Sequence, residues 1–261
     1  MRWSDRQQAM LREMGIALWQ PPDAAGDAPQ PQALAVDEAP AAPAAPAPLP
    51  EARPLPLRMA PAGLVDLGAM DWPALRDRVA ACTACGLCKT RTQTVFGVGH
   101  ERAHWMIVGE APGEQEDLRG EPFVGPAGRL LDRMLAALSL TRQPAEPQQQ
   151  VYIANALKCR PPRNRNPEPA ELAQCIPYLE RQVALVQPRV VLAMGRFAVQ
   201  ALLGSDEPIG RLRGRVHDWQ GRPLVVTYHP AYLLRQPTEK ARAWADLCLA
   251  AEALHRLQPA G

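Results

Sequence analysis

The sequence predicts an α/β sandwich around a four-stranded parallel sheet, and three observations lead to it. Apolar runs alternate with segments of helical spacing from about residue 70 to the end. The runs are continuous rather than alternating, as in strands buried on both faces of a sheet. Each run also stops at a glycine or polar residue, where ligands bind open α/β sheets.

In chain order, Asp71 predicts the N-cap of a helix through Leu75 and Val79 to Ala81, with Pro73 in its first turn. Trp105 to Val108 reads as the first strand, stopping at Gly109. A long loop to about Pro126 follows, and Leu130, Leu131, Met134, Leu135 and Leu138 then recur at helical spacing. Val151 to Ala154 is the second strand, ending at Asn155. After a Pro-rich loop, residues 169–186 form a helix whose apolar stripe is Leu172, Ile176, Leu179, Val183 and Val186. Val190 to Met194 is the third strand, ending at Gly195, and residues 196–203 are helical. Leu224 to Thr227 is the fourth strand, ending just before His229, and residues 239–255 form the last helix. This order gathers Glu110, Asn155, Gly195 and His229 at one edge of the sheet.

The first quarter of the chain has a different character. Twelve prolines lie between Pro21 and Pro61, and residues 23–62 are mostly Ala, Pro, Gln, Asp and Glu. That composition cannot bury enough apolar surface to offset the entropy of ordering. The expected organisation is a short helical peptide over residues 1–22, a disordered tether over 23–69 and one folded domain over 70–261. Residues 1–70 carry 5 Arg against 8 Asp and Glu, a net charge of −3. The remaining 24 Lys and Arg against 19 Asp and Glu give the domain +5. A mildly basic domain suits a polyanion, although many enzymes of neutral ligands are as basic. The N-terminus lacks the apolar core of a signal peptide, and no run approaches the length of a membrane span. The expected location is a bacterial cytoplasm, with the chain acting as a monomer.

Six cysteines in such a chain point to metal ligands or free thiols rather than disulfides. Cys82-x2-Cys85 precedes the first strand, and Cys159-x15-Cys175 follows the second. Four thiolates can hold Zn2+ or an iron–sulfur cluster. The wide second spacing favours the cluster, while Cys85-x2-Cys88 is also a valid pair. Cys248, flanked by Leu247 and Leu249, reads as a small core residue. A cluster would be architectural, pinning the polar segment 160–169 to the start of the domain.

The segments CTACGLCKTRTQTVFGVG, MIVGEAPGEQED, GEPFVGPAG, IANALKCRPPRNRNP and HPAYLLR, in that order, resemble the family 4 uracil-DNA glycosylases. These are the bacterial and archaeal iron–sulfur branch of their superfamily. The resemblance runs from about Cys82 to the last helix. It implies a uracil-DNA glycosylase-like α/β/α sandwich and removal of uracil from single- or double-stranded DNA. It also implies a [4Fe–4S] cluster on Cys82, Cys85, Cys159 and Cys175, with Cys88 a spectator.

The resemblance assigns roles that the residues alone leave open. Asn155 would read the Watson–Crick edge of uracil, one amide donating to O4 and accepting from N3–H. By position alone it could equally cap a loop after a strand. Phe123 would stack on the uracil ring, contributing about 1–3 kcal/mol, where otherwise it would anchor its loop. His229 would donate to uracil O2 as negative charge develops there, with Pro230 fixing its turn. Gly109, Glu110, Ala111 and Gly113 form the loop that approaches uracil and the adjacent phosphate. Ala111 stands where the best-known relatives carry an Asp that orients water, which leaves Glu110, Glu116 and Asp117 as candidates for that task. Gly113 stands where others carry a Tyr against the thymine methyl, so thymine must be excluded from elsewhere. Leu233 and Leu234, expected in an exposed loop, would supply a wedge for the gap left by the flipped base. Arg235, Arg160, Arg163 and Arg165 would touch phosphates. A reading from another class, a non-catalytic iron–sulfur DNA-binding module of the same fold, is disfavoured by the intact Glu110, Phe123, Asn155 and His229.

Near the N-terminus, Met10, Leu11, Met14 and Leu18 fall on one face of a short helix. This segment is similar to the N-terminal peptide of the psi subunit of the bacterial replicative polymerase, which docks on the clamp loader. The expectation is a replisome or clamp-loader contact through residues 1–22.

Overall fold

A computed structural model describes residues 67–257 and, apart from them, only Glu13. The expected peptide 1–22 and tether 23–69 therefore lie outside the described residues, save for Glu13 and a single 3-10 turn at Leu67–Ala69. Within residues 67–257 the first α-helix, α1 (Trp72–Ala80), starts where the sequence places it. Asp71 Oδ1 accepts the Ala74 N–H at 3.0 Å, satisfying one of the helix's free donors.

Six strands follow, β1 (Val98–Gly99), β2 (Trp105–Gly109), β3 (Tyr152–Asn155), β4 (Val190–Met194), β5 (Val216–Trp219) and β6 (Arg222–Thr227). They lie side by side in the order β1-β3-β2-β4-β6-β5. The central four, β3, β2, β4 and β6, are parallel as expected. Each edge carries an antiparallel strand that the sequence reading lacked. At one edge β1 is two residues long. It presses so closely on β3 that a Cβ at Gly99 would lie 1.9 Å from the Val151 carbonyl oxygen. At the other edge β5 and β6 form a hairpin through Gln220 and Gly221, both at positive φ (53° and 74°), the two-residue turn that fits strand twist.

Among the described residues the helices are α2 (Glu114–Arg119), α3 (Pro126–Ala136), α4 (Pro169–Val186), α5 (Arg196–Leu203), α6 (Ile209–Leu212), α7 (Pro230–Arg235) and α8 (Lys240–Arg256). Strand side chains alternate between faces, which explains the two cores. Ile107, Ile153, Leu192 and Val225 pack with Leu131 and Met134 of α3 and with Trp244 and Leu247 of α8. Met106, Val108, Val191 and Val226 pack with Leu179 and Val183 of α4 and Val199 of α5. Each fully buried aliphatic side chain contributes about 1.5–3 kcal/mol, so both faces need their helical cover. Among the described residues no helix is long and apolar enough to cross a membrane.

One expectation is corrected here. HPAYLLR is not an exposed loop: His229 is the N-cap of α7, and Pro230 opens its first turn. Leu233 is 0% exposed and belongs to the core packed by α3 and α8, whereas Leu234 points outward. The amphipathic period of a short helix buries one leucine of the pair and exposes its neighbour.

Candidate functional site

Because the four central strands are parallel, their C-terminal ends share one edge, and the loops beyond them line a cavity of about 870 Å3. Glu110 follows β2, Asn155 ends β3, Gly195 follows β4 and His229 follows β6; all four line it. Ala111, Gly113, Glu116, Phe123, Arg165 and Arg235 line it too.

Two of its lining residues, Asn155 and Phe123, are in close contact with Gly109, which does not itself line it. Gly109 pairs with Asn155 across β2 and β3. A Cβ on Gly109 would lie 2.4 Å from Asn155 Oδ1 and 2.6 Å from Phe123 Cζ, so only glycine fits. Asn155 is 2% exposed, and its Oδ1 has no hydrogen-bond partner. A buried unpaired acceptor costs about 1–3 kcal/mol, which a ligand donor would recover. Phe123 holds a left-handed backbone (φ 56°) and stacks on the His229 ring at 5.2 Å between centroids.

The tautomer of His229 follows from its contacts. Its Nδ1 accepts the Ala231 N–H at 3.1 Å, so the neutral ring carries its proton on Nε2. Burial, with a smaller push from the Arg235 charge, lowers its pKa to about 4. At neutral pH the cavity therefore meets an uncharged imidazole.

The three carboxylates near this loop are placed differently. Glu110 Oε1 accepts the Phe197 N–H at 3.2 Å at the start of α5, and burial raises its pKa above the usual carboxylate value. Glycine is required opposite it: a Cβ on Gly195 (φ 93°) would lie 2.4 Å from Glu110 Oε1. Glu116 ties two loops together, accepting from Gly113 N–H at 3.1 Å, Val124 N–H at 2.9 Å and Gly125 N–H at 3.3 Å. Asp117 is buried away from the cavity and accepts the Thr92 N–H through both oxygens.

The expected phosphate contacts divide as well. Arg165 is clamped to Glu171 by two hydrogen bonds of 2.6 and 2.9 Å, locking its loop to α4. Arg160 bonds the Asn164 side chain at 2.8 Å. Arg163 is exposed beyond the cavity lining, at a left-handed φ of 54°. Arg235, at the end of α7, faces the cavity. Sequence reasoning missed Tyr228 and Tyr232, whose rings lie 5.0 Å apart and line the same cavity. Their signal was available, since both lie within three residues of His229.

A second cavity is lined by Cys82, Cys85, Cys88, Cys159 and Cys175. Arg91 Nη1 donates to Cys159 Sγ at 3.0 Å and the Lys158 N–H donates to Cys175 Sγ at 3.2 Å. Burial pushes the Cys175 thiol up to about 12 and raises Cys85 and Cys159 as well. Cationic and N–H donors aimed at sulfur suit thiolates that a bound cation keeps ionised. Among the described residues no three Cys, His, Asp or Glu side chains converge as they would on a single ion. Between the two cavities stands Lys158, 1% exposed, donating to the Asn155 carbonyl at 2.8 Å and to Gln182 Oε1 at 2.6 Å.

Parallel central strands whose ends present an unpaired amide oxygen, a neutral imidazole and a buried ring to one cavity define a nucleobase-handling α/β protein. Residues 96–248 match the Uracil DNA glycosylase superfamily, and the chain belongs to it. It is 42% identical over 189 residues to the type-4 uracil-DNA glycosylase of Archaeoglobus fulgidus, covering 69% of this chain and 92% of that protein. The type-4 uracil-DNA glycosylase of Thermotoga maritima is 41% identical over 168 residues, 64% of this chain and 84% of that one. The type-5 uracil-DNA glycosylase of Thermus thermophilus is 33% identical over 173 residues, 59% and 75% respectively.

Proposed function

We propose that this protein is a DNA repair glycosylase that flips uracil out of DNA and hydrolyses its N-glycosidic bond. The observation that carries the reading is the buried, unpartnered Oδ1 of Asn155 at the floor of the strand-end cavity. An amide turned so that Oδ1 meets N3–H and Nδ2 meets O4 reads uracil. In the same orientation it meets cytosine donor to donor and acceptor to acceptor.

A base inside a duplex is out of reach until it leaves the stack. Once it is seated, Phe123 supports its face and Gly109 lets the backbone come close. Cleavage leaves negative charge on the departing uracil, and the Nε2–H of neutral His229 donates to O2 as that charge forms. Of the three candidate carboxylates we assign the water and the sugar cation to Glu110, which lines the cavity. Glu116 already receives three backbone donors, and Asp117 faces elsewhere. Glu116 has a different part. Its Oε2 would lie 2.7 Å from a Cβ on Gly113, so it fills the space where a larger side chain would meet the thymine methyl. Leu234 is the wedge and Arg235 a phosphate contact at the cavity; Arg163 and Arg165 flank the DNA path from the Pro-rich loop.

Cys82, Cys85, Cys159 and Cys175 fit a [4Fe–4S] cluster, with Arg91 and the Lys158 N–H as donors to its thiolates. Such a cluster supplies a cross-link between the start of the domain and the Pro-rich loop. Residues 1–22 are proposed as a docking peptide for a replisome component.

The test is release of uracil from single-stranded oligonucleotides carrying one uracil, hypoxanthine or thymine, scored as alkali-labile sites. The expected result is cleavage at uracil, reduced about 10²–10³-fold in His229→Ala. No cleavage by the iron-loaded protein would overturn the enzyme reading and leave a DNA-binding module.

A further inference from the structure

Phe123 sits where a side chain costs strain, so something must hold its backbone. A bulky residue at φ 56° is disfavoured by about 1–3 kcal/mol. Beneath it, Gly128 of α3 lies so close that a Cβ there would be 1.7 Å from the Phe123 carbonyl oxygen. From the far side, the guanidinium of Arg142 donates through Nη1 to the Pro122 carbonyl at 2.8 Å. Its Nε bonds Asp132 of α3 at 2.6 Å, and Glu121 stands 3.6 Å from Nη1. The backbone of Arg142 is itself held, since Gln150 Nε2 donates to its carbonyl at 3.1 Å.

We infer that Arg142 is a positioning residue for the uracil pocket, fixing the Phe123 ring through the Pro122 carbonyl. This rests on the glycosylase reading and deepens it. Arg142 does not line the cavity, so it acts only through its neighbours. It is 8% exposed and its Nη2 has no partner. A methionine would fill that space without a buried charge to desolvate. What the guanidinium adds is direction: two planar donors span the 120–125 loop and α3, and they set the angle at which the strained peptide enters Phe123.

The experiment is a double-mutant cycle on single-turnover uracil release from a single-stranded oligonucleotide. The proteins are wild type, Arg142→Met, Phe123→Ala and the double variant, assayed below all their melting temperatures. Arg142→Met is expected to slow release about 10–100-fold, the scale of a small misplacement in an active site. Affinity for an abasic oligonucleotide should hold. The double variant should be no slower than Phe123→Ala alone, and Arg142→Lys should recover part of the loss. Losses that multiply in the double variant would overturn the inference. If Arg142→Met does not fold, Asp132→Asn, a change at a half-exposed partner, takes its place in the same cycle with a smaller expected loss. A wild type that releases no uracil fails the glycosylase reading itself, an outcome distinct from multiplicative losses in an active protein.

Discussion

Asn155 lines one cavity and Cys159, four residues further on, lines the other, yet the two are built in opposite ways. Strand register builds the strand-end cavity: Gly109 faces Asn155, Met194 faces Thr227, and the loops beyond inherit those directions. The cysteine cavity draws on the turn after α1, the loop after β3 and one position on α4, none of them paired in the sheet. One site is preorganised by hydrogen-bond ladders. The other is assembled from two loops and a helix, and burial raises the pKa of its Cys85, Cys159 and Cys175 thiols, so ionising them would add order there. A single fold thus carries one site built by strand register and another built outside the sheet.

That contrast can be broken first at Asn155. Asn155→Ala should cut uracil release about 10²–10³-fold. It should leave the melting temperature unchanged or raise it, because the change removes a buried unpaired acceptor. Single-turnover rates and thermal melts check the two halves, and a large loss of stability would mean the amide is structural. The cysteine cavity should answer in reverse. Cys175→Ser should lose bound iron and lower Tm by about 5 °C or more, at about 2–4 °C per kcal/mol for a chain of this size. Cys88→Ser should retain its iron. Iron content per chain and calorimetry decide it, and equal losses in both variants would put Cys88 among the ligands.

The smallest effect concerns pH. His229 has a folded pKa near 4 against an unfolded value near 6.5. Its contribution to stability is complete above pH 6.5 and fades as pH falls toward 4. Protonating Nδ1 would also set it against the Ala231 N–H, turning the ring. His229 should therefore contribute no inflection to the rate between pH 5.5 and 8. An inflection near 6.5 would place the ring in water.

Much of this was legible in the sequence. Buried strands read as unbroken apolar runs, so β2, β3, β4 and β6 fall within two residues of their expected ends, and α4 and α5 match residue for residue. The edges were not legible. Two residues containing Gly99 carry no strand pattern, and Val216 to Trp219 is half exposed and interrupted by charge. Gln220-Gly221 was the missed signal. That Glu110, Asn155, Gly195 and His229 meet at one cavity was legible because parallel strands aim their ends to one edge. The burial of Leu233 was not, because five residues of helix after a proline look like a loop until α3 and α8 cover one side. Arg142 left no sequence trace at all: its partners are a carbonyl and an aspartate that only the fold brings near.

The unpaired oxygen of Asn155 has one more consequence. Free uracil offers the same edge as uracil in DNA, so the product of the reaction suits the pocket that made it. Its binding should stabilise the folded chain by mass action, raising Tm as its concentration rises. On the proposed role of Asn155, turnover would slow as the liberated base accumulates, a brake set by the same oxygen that reads the substrate.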